Sequence, residues 1–301
     1  MTYNQCASHE FIVISPAKDE SQYIERTILS MVGQTILPKL WVIVDDGSRD
    51  RTAQIIEHYA NQYKWIIPVT VHRGEERKPG SAEIRAFYIG YEHVNEEACG
   101  YLVKLDADVE LPRDYFERIF SEFEKDPLLG IASGAYVEAR DGMMSLVKMP
   151  AYHASGASKI IRRECFLDIG GFPLSPGWDT ADEIKAQARG WRTHHFPDIR
   201  FLHLRPEGSA IGVLRTSFDH GRMYHACGGG ISFLFVKGIR RIVFGKPFFV
   251  CGIALFCGYV CAATNSQPML VSEAEARSYR KLLKEQLASS VTRRIVFWRH
   301  V

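Results

Sequence analysis

A chain of 301 residues with 46% hydrophobic and 24% charged side chains is long enough for one large domain or two small ones, and this composition excludes a disordered polymer. The formal charge of +2 conceals an uneven distribution. Up to Leu202 there are 23 Lys+Arg against 30 Asp+Glu, and from His203 to Val301 there are 14 against 5, so the last third favours an anionic partner surface.

The opening MTYNQCASHEF is polar, with no basic segment leading into an apolar one, so the expectation is a chain made in the cytoplasm without a secretory signal. Phe11–Ser15 (FIVIS) reads as a short buried strand, and residues 20–34 as an amphipathic helix with Ile24, Ile28, Met31 and Val32 on one stripe. Leu40–Val44 is a second buried strand, and Asp50 caps a helix reaching about Gln62. Trp65–Val71 is a third strand, followed by a helix over Ser81–Val94 whose core face is Ile84, Phe87, Tyr88 and Tyr91. Tyr101–Leu105 is the fourth strand, and Pro112 opens a helix carrying Phe116, Ile119, Phe120 and Phe123. Near-continuous apolar strands separated by helices predict an α/β fold, a Rossmann-like, mostly parallel sheet with helices on both faces. The seven cysteines (Cys6, Cys99, Cys165, Cys227, Cys251, Cys257 and Cys261) form no Cys-x-x-Cys pair and lack a histidine at zinc spacing, so reduced, mostly buried thiols are expected.

In such sheets ligands sit beyond the carboxyl ends of the strands. The segments that follow the strands include Pro16-Ala17-Lys18-Asp19-Glu20, Asp45-Asp46-Gly47-Ser48 and Asp106-Ala107-Asp108. Asp106 and Asp108, two residues apart at the end of a buried strand, need water or a cation. A hard Mg2+ or Mn2+ bridging to a diphosphate uses both, while a polar turn leaving a strand would carry the same residues. Asp45 and Asp46 suit hydrogen bonds to a base N–H or a ribose hydroxyl, whereas helix capping accounts for Asp50. No glycine-rich phosphate loop follows a strand, which disfavours a Rossmann dehydrogenase or a P-loop NTPase.

Five segments in one order carry a resemblance. PAKDE (16–20), VIVDDGSRDRT (42–52), LDAD (105–108), SGASKIIRRECFLDIGGF (155–172) and GWDTADEIKAQARGW (177–191) resemble a family 2 glycosyltransferase of the GT-A fold, across roughly two thirds of the chain. The resemblance implies that Pro16, Ala17 and Glu20 make the first nucleotide contact and that Asp45 and Asp46 hold base and ribose. It also implies that Asp106 and Asp108 are metal and ribose ligands, and that His203, in FLHLR, completes the metal site. Arg85 lies where the family often has an arginine before the metal motif, and would equally serve as a solvated helix charge; His203 would equally serve as a structural histidine. Counting back from Gly190-Trp191, the general base falls on Asp179. Asp182 is the alternative, because the second acid of the family's usual pair is displaced here to Asp182-Glu183. Capping of a helix over residues 184–189 would use the same acids.

The chemistry implied is an inverting transfer from a nucleotide-diphosphate sugar to a hydroxyl of a lipid-linked or oligosaccharide glycan acceptor, with Mg2+ or Mn2+, in surface polysaccharide synthesis. The alternatives are a catalytically silent GT-A-like nucleotide-binding or scaffold protein and a sugar nucleotidyltransferase, whose lysine- and glycine-rich opening loop is missing after Phe11–Ser15. Residues 1–210 are expected to form the catalytic domain and 211–301 a basic, apolar helical region. Pro247–Ser272 holds no charged residue, and its apolar heart, Phe248–Ala263, has sixteen residues against the roughly 20 that a spanning helix needs. Lys237, Arg240, Arg241 and Lys246 precede it, and Arg277, Arg280, Lys281 and Lys284 follow. These flanks favour lipid headgroups over nucleic acid. The expectation is a monotopic or re-entrant helix at the cytoplasmic face of the cell membrane, with a short span or a buried core helix as alternatives. A charged helix over Ser272–Leu287 follows. No Gln-x-x-Arg-Trp motif occurs, which argues against a processive synthase.

Overall fold

The computed structural model describes residues 10–71, 82–94, 97–140, 143–205, 212–244 and 250–299. The chain divides into two compact units, residues 1–175 with 189–206, and residues 176–188 with 207–301. Residues 176–188, which chain order assigns to the catalytic domain, group with the C-terminal helices.

Among the described residues the first unit is built on nine strands: β1 (Phe11–Ala17), β2 (Leu40–Asp45), β3 (Ile66–Thr70), β4 (Tyr101–Leu105), β5 (Val109–Glu110), β6 (Leu129–Arg140), β7 (Met143–Leu146), β8 (Ser158–Arg162) and β9 (Arg192–His203). They form one sheet in the order β3-β2-β1-β4-β8-β6-β9-β5, with β7 paired to β6. The four strands expected from the sequence run parallel as neighbours. Beyond them β8 is antiparallel to β4 and β6, and β6 and β9 are parallel to each other. β3 alternates buried and open positions and carries Pro68, which its place at the sheet edge tolerates.

Among the described residues five helices accompany the sheet: α1 (Ile24–Val32), α2 (Thr52–Gln62), α3 (Ala82–Glu92), α4 (Tyr115–Lys125) and α5 (Arg163–Asp168). The expected stripe of α4 is fully buried, and the Phe11 ring lies 4.7 Å from Phe116 and 4.9 Å from Phe120. Ile14, Val42 and Val44 point to the other side, where α3 presses so closely that a side-chain carbon at Gly90 would meet Ile14 at 2.7 Å. Helices thus cover both faces, which is why the strands read as near-continuous apolar runs.

Local chemistry moves three helix starts. Residues 20–23 form a turn in which the Glu20 carbonyl accepts the Tyr23 and Ile24 N–H groups, so α1 begins at Ile24. Asp50 accepts the Thr52 N–H at 2.9 Å, but Arg51 is the residue at the N-cap of α2. The Pro112 carbonyl accepts the Tyr115 N–H in a turn that precedes α4.

The register between β6 and β9 sets the site. Gly134 pairs with Phe196 and Ala135 with Arg200, so residues 197–199 bulge out, and the pairing then continues to Glu138 opposite His203. A side-chain carbon at Gly134 would lie 2.3 Å from the Ile199 carbonyl oxygen and 2.7 Å from the Tyr115 ring. Gly134→Val is therefore expected to destabilise the protein by about 1–3 kcal/mol or more through overpacking, read as a lower midpoint in thermal unfolding. An unchanged midpoint would show that the bulge does not depend on the missing side chain.

The second unit is helical: α6 (Trp178–Ala188), α7 (Val213–Ala226), α8 (Ile231–Phe244), α9 (Val250–Thr264) and α10 (Glu273–Arg299). α6 starts six residues earlier than the expected 184, so Asp179, Asp182 and Glu183 are helical residues and not caps. Its core gathers Ala181, Ile184, Tyr224, Cys227, Leu255, Tyr279 and Leu283. α7 and α9 cross at backbone contact, where a side-chain carbon would lie 2.0 Å from the Leu255 oxygen at Gly221 and 1.9 Å from the Phe218 oxygen at Gly258. Among the described residues no helix is long and apolar enough to cross a membrane, so the short-span alternative finds no helix here. None of the six described cysteines is in a disulfide; Cys165, Cys227 and Cys251 are buried, Cys257 is exposed, and Cys99 and Cys261 lie between; Cys6 lies outside the described residues.

Candidate active site

The turn between β4 and β5 is Asp106-Ala107-Asp108, and its backbone is fastened from three sides. Asp106 N–H donates to the Ala157 carbonyl at 2.8 Å and Leu204 N–H to the Asp108 carbonyl at 2.8 Å. The buried Thr27 hydroxyl, from α1, donates to the Ala107 carbonyl at 2.9 Å and accepts the Val109 N–H at 3.2 Å. With the main chain satisfied, the side chains can serve other partners. Pairing of Val109 with His203 brings the imidazole beside them, and Asp106, Asp108 and His203 each offer a ligand atom, all within 4.8 Å of one another.

Each member of the cluster has an internal partner. Lys104, fully buried on β4, pairs with Asp106 and with Glu83 of α3, and donates to the Gly156 carbonyl at 3.0 Å. Arg205 pairs with Glu20, donates to Asp108 at 3.1 Å, and lies 5.7 Å over the Tyr23 ring. His203 Nδ1 donates to the fully buried Glu138 at 3.2 Å, while Nε2 faces Asp108 at 3.5 Å. Burial raises the Asp106 carboxyl, Lys104 opposes that, Glu83 and Asp108 add to it, and the result is about 6. Burial also raises Glu20, helped by the charge of Asp108, to about 7. For Asp108 burial acts upward, but His203 and Arg205 outweigh it and hold the carboxyl below its ordinary value. Burial would lower His203, yet its bonds to Asp108 and Glu138 push it up to about 9.

The loops after β1 and β2 are locked together beside this turn. Asp19 N–H donates to the Ser48 hydroxyl, Glu20 N–H to Thr52, Ser21 N–H to Asp50, and Arg49 N–H to Asp19. Lys18 adds bonds to the Asp46 and Gly47 carbonyls at 2.7 and 3.0 Å. Asp19 adopts φ +55 to do this, a strained value for a residue with a side chain. Between the loops and the Asp-x-Asp turn opens a cleft of about 280 Å³ lined by Pro16, Ala17, Lys18, Glu20, Asp46, Ala82, Glu83, Ala86, residues 106–108 and Arg205.

The structure therefore gathers Pro16, Ala17, Glu20, Asp46, Asp106 and Asp108 around one cleft, with His203 in the acidic cluster. Asp45 is buried, and its carboxylate accepts the Ser48 N–H at 3.0 Å, tightening the loop that carries Asp46. Arg85, half-buried on α3, is not among the lining residues. Asp179 and Asp182 belong to α6 in the second unit. Sequence reasoning missed Thr27, Glu83, Lys104, Glu138 and Arg205. Lys104 had a signal, since a lysine interrupts the apolar run YLVKL two residues before Asp106, on the same strand face. Glu138 had none, because its place depends on the bulge.

Glu138 is the group that orients His203 and sets which ring nitrogen faces the cluster. Were this cluster to hold a divalent cation, Glu138→Gln would weaken its affinity by about tenfold or more in a calorimetric titration; equal affinity would remove Glu138 from the account of the site.

This α/β fold, with its run of parallel strands covered by helices on both faces, is that of the GT-A glycosyltransferases. Two solved structures share the fold: a mannosyltransferase from Pyrobaculum calidifontis in complex with GDP-Man and Mn2+ (TM-score 0.57, 18% identity, 94% of this chain and 86% of that one), and Staphylococcus aureus TarS in complex with UDP-GlcNAc (TM-score 0.54, 15% identity, 85% and 73%). The chain belongs to glycosyl transferase family 2, whose description matches residues 12–166. Among curated relatives, it is 21% identical over 198 residues to the poly-beta-1,6-N-acetyl-D-glucosamine synthase of Staphylococcus epidermidis, covering 59% of this chain and 44% of that protein. It is 35% identical over 114 residues to the chondroitin synthase of Escherichia coli, covering 37% and 15%. The chain thus spans less than half the length of these two relatives.

Proposed function

We propose that this chain moves a sugar from a nucleoside diphosphate sugar to a hydroxyl of a lipid-linked glycan acceptor, with inversion at the anomeric carbon, in the assembly of a surface polysaccharide. The observation that carries the reading is the cluster of Asp106, Asp108 and His203 beside a cleft that also presents Glu20 and Asp46, in a chain of family 2. Two carboxylates and an imidazole with donor atoms within 4.8 Å are a hard oxygen and nitrogen set that fits Mg2+ or Mn2+, so these three residues would hold the cation. Bound there, it supplies positive charge against the departing nucleoside diphosphate.

In this reading Pro16, Ala17, Glu20 and Asp46 receive the nucleotide, Asp45 fixes the loop that presents Asp46, and Arg85 is assigned on family resemblance. Asp179 takes the proton of the acceptor hydroxyl as that oxygen attacks the anomeric carbon and the bond to the diphosphate oxygen breaks. One displacement inverts the centre. Asp179 is preferred to Asp182 because it is half-buried in the first turn of α6, whereas Asp182 is fully buried and accepts the Glu183 N–H at 2.7 Å. The synthase names of the two relatives support a glycan acceptor.

The test is a thermal-shift and calorimetric panel of UDP, GDP, dTDP and CDP, each with and without Mn2+. One nucleotide is expected to stabilise the protein only with metal, by about 2.7 kcal/mol at a hundredfold excess over Kd. Binding of none would replace the transferase with a catalytically silent relative of the same fold.

A further inference from the structure

Two helices of the second unit carry large apolar side chains that the unit leaves uncovered. α9 has no charged residue, and the face formed by Cys251, Leu255, Gly258 and Ala262 is buried. On its opposite face Ile253, Cys257 and Val260 follow one another at i, i+4 and i+7, and Ile253 and Val260 are each more than half exposed. α8 presents Ile231, Phe235 and Ile239 at i, i+4 and i+8, also each more than half exposed. The Phe235 ring lies 5.1 Å from that of Phe256, and a side-chain carbon at Gly238 would meet Phe256 at 2.2 Å, so the two helices are packed neighbours. Single exposed hydrophobic residues are ordinary on a protein surface; rows of them on two packed helices call for an apolar cover.

Length and charge choose the cover. The 15 residues of α9 extend about 22 Å at 1.5 Å per residue, less than the roughly 30 Å of a bilayer core, so the helix fits along an interface and not across it. α8 contains Lys237, Arg240 and Arg241 and no acid, within a stretch from His203 that holds 14 basic residues against 5 acidic. A second copy would oppose this positive charge with its own, whereas anionic headgroups complement it.

We propose that the exposed faces of α8 and α9 together form a docking surface for an anionic lipid leaflet. α9 keeps its inner face on the protein while its outer row and that of α8 enter the interface. This differs from the single dipping helix expected from the sequence, because α8 supplies half of the surface and α9 stays packed. It is independent of the proposed reaction, since lipid binding requires no donor sugar.

The test is cosedimentation of the full chain with vesicles of phosphatidylglycerol and phosphatidylcholine in equal parts, and with phosphatidylcholine alone. Wild type is expected to bind the anionic vesicles and to be released by high salt. Ile253→Glu and Phe235→Glu are each expected to lower partitioning by about tenfold or more, while Ser278→Glu, the same added charge on exposed α10, leaves most of it. Far-UV circular dichroism and retained nucleotide binding show that the variants are folded. No binding by wild type, or equal loss in all three variants, overturns the proposal. So does sedimentation velocity showing a lipid-free dimer that Ile253→Glu dissolves while vesicle binding persists, because the face would then belong to a second copy.

Discussion

Asp179→Asn is expected to lower turnover by about 10²–10⁴-fold, the usual contribution of a general base, while nucleotide affinity stays at the wild-type value. Asparagine keeps the size and hydrogen-bonding reach of aspartate but cannot hold the acceptor proton as its oxygen attacks. Asp179 lies half-buried within the first turn of α6, so the melting midpoint of the variant is measured beside its kinetics. Transfer to a defined acceptor gives kcat, and calorimetry with the cognate nucleotide gives Kd. A fall in kcat with unchanged Kd places Asp179 in the chemical step. Full turnover in Asp179→Asn combined with its loss in Asp182→Asn would move the base to the buried neighbour.

The second large effect is loss of metal-dependent nucleotide binding in Asp106→Asn/Asp108→Asn, so that the stabilisation of about 2.7 kcal/mol at a hundredfold excess of ligand disappears. The amides remove both negative charges and leave His203 alone to hold a divalent cation. They also remove one partner each from Lys104 and Arg205, which retain Glu83 and Glu20. Because a buried charge that loses a partner costs stability, the unliganded variant should melt below wild type. The informative quantity is therefore the shift each protein shows with nucleotide and Mn2+ relative to its own midpoint. A double variant that still shows the full shift would mean that the nucleotide is held without the motif.

How much of this was legible follows from where the determinants lie. The parallel strands and the α4 stripe were readable because strands covered on both faces are apolar throughout, and Phe116, Ile119, Phe120 and Phe123 repeat at helical spacing. β6 was not, since LGIASGAYVEAR is rich in small residues and its pairing turns on a bulge at residues 197–199 of a distant strand. α1 starts late because the loop over residues 19–21 is tied to the one over 48–52, a tertiary effect invisible in the local pattern. The acidic motif could be found from strand ends alone, but the groups that balance it could not: Glu83, Glu138 and Arg205 come from three other elements or loops.

That balance has a consequence for the life of the protein. Asp106 and Asp108 each meet a cation of the chain's own, Lys104 and Arg205, and each of those meets a further acid, Glu83 and Glu20. These pairs offset part of the local repulsion within the polypeptide, so the fold is expected to form without an ion, unlike small domains whose folding is driven by metal capture. If the proposed cation site is used, a chelator that removes Mg2+ or Mn2+ is expected to stop transfer and leave the fold intact, with transfer restored when the ion is returned.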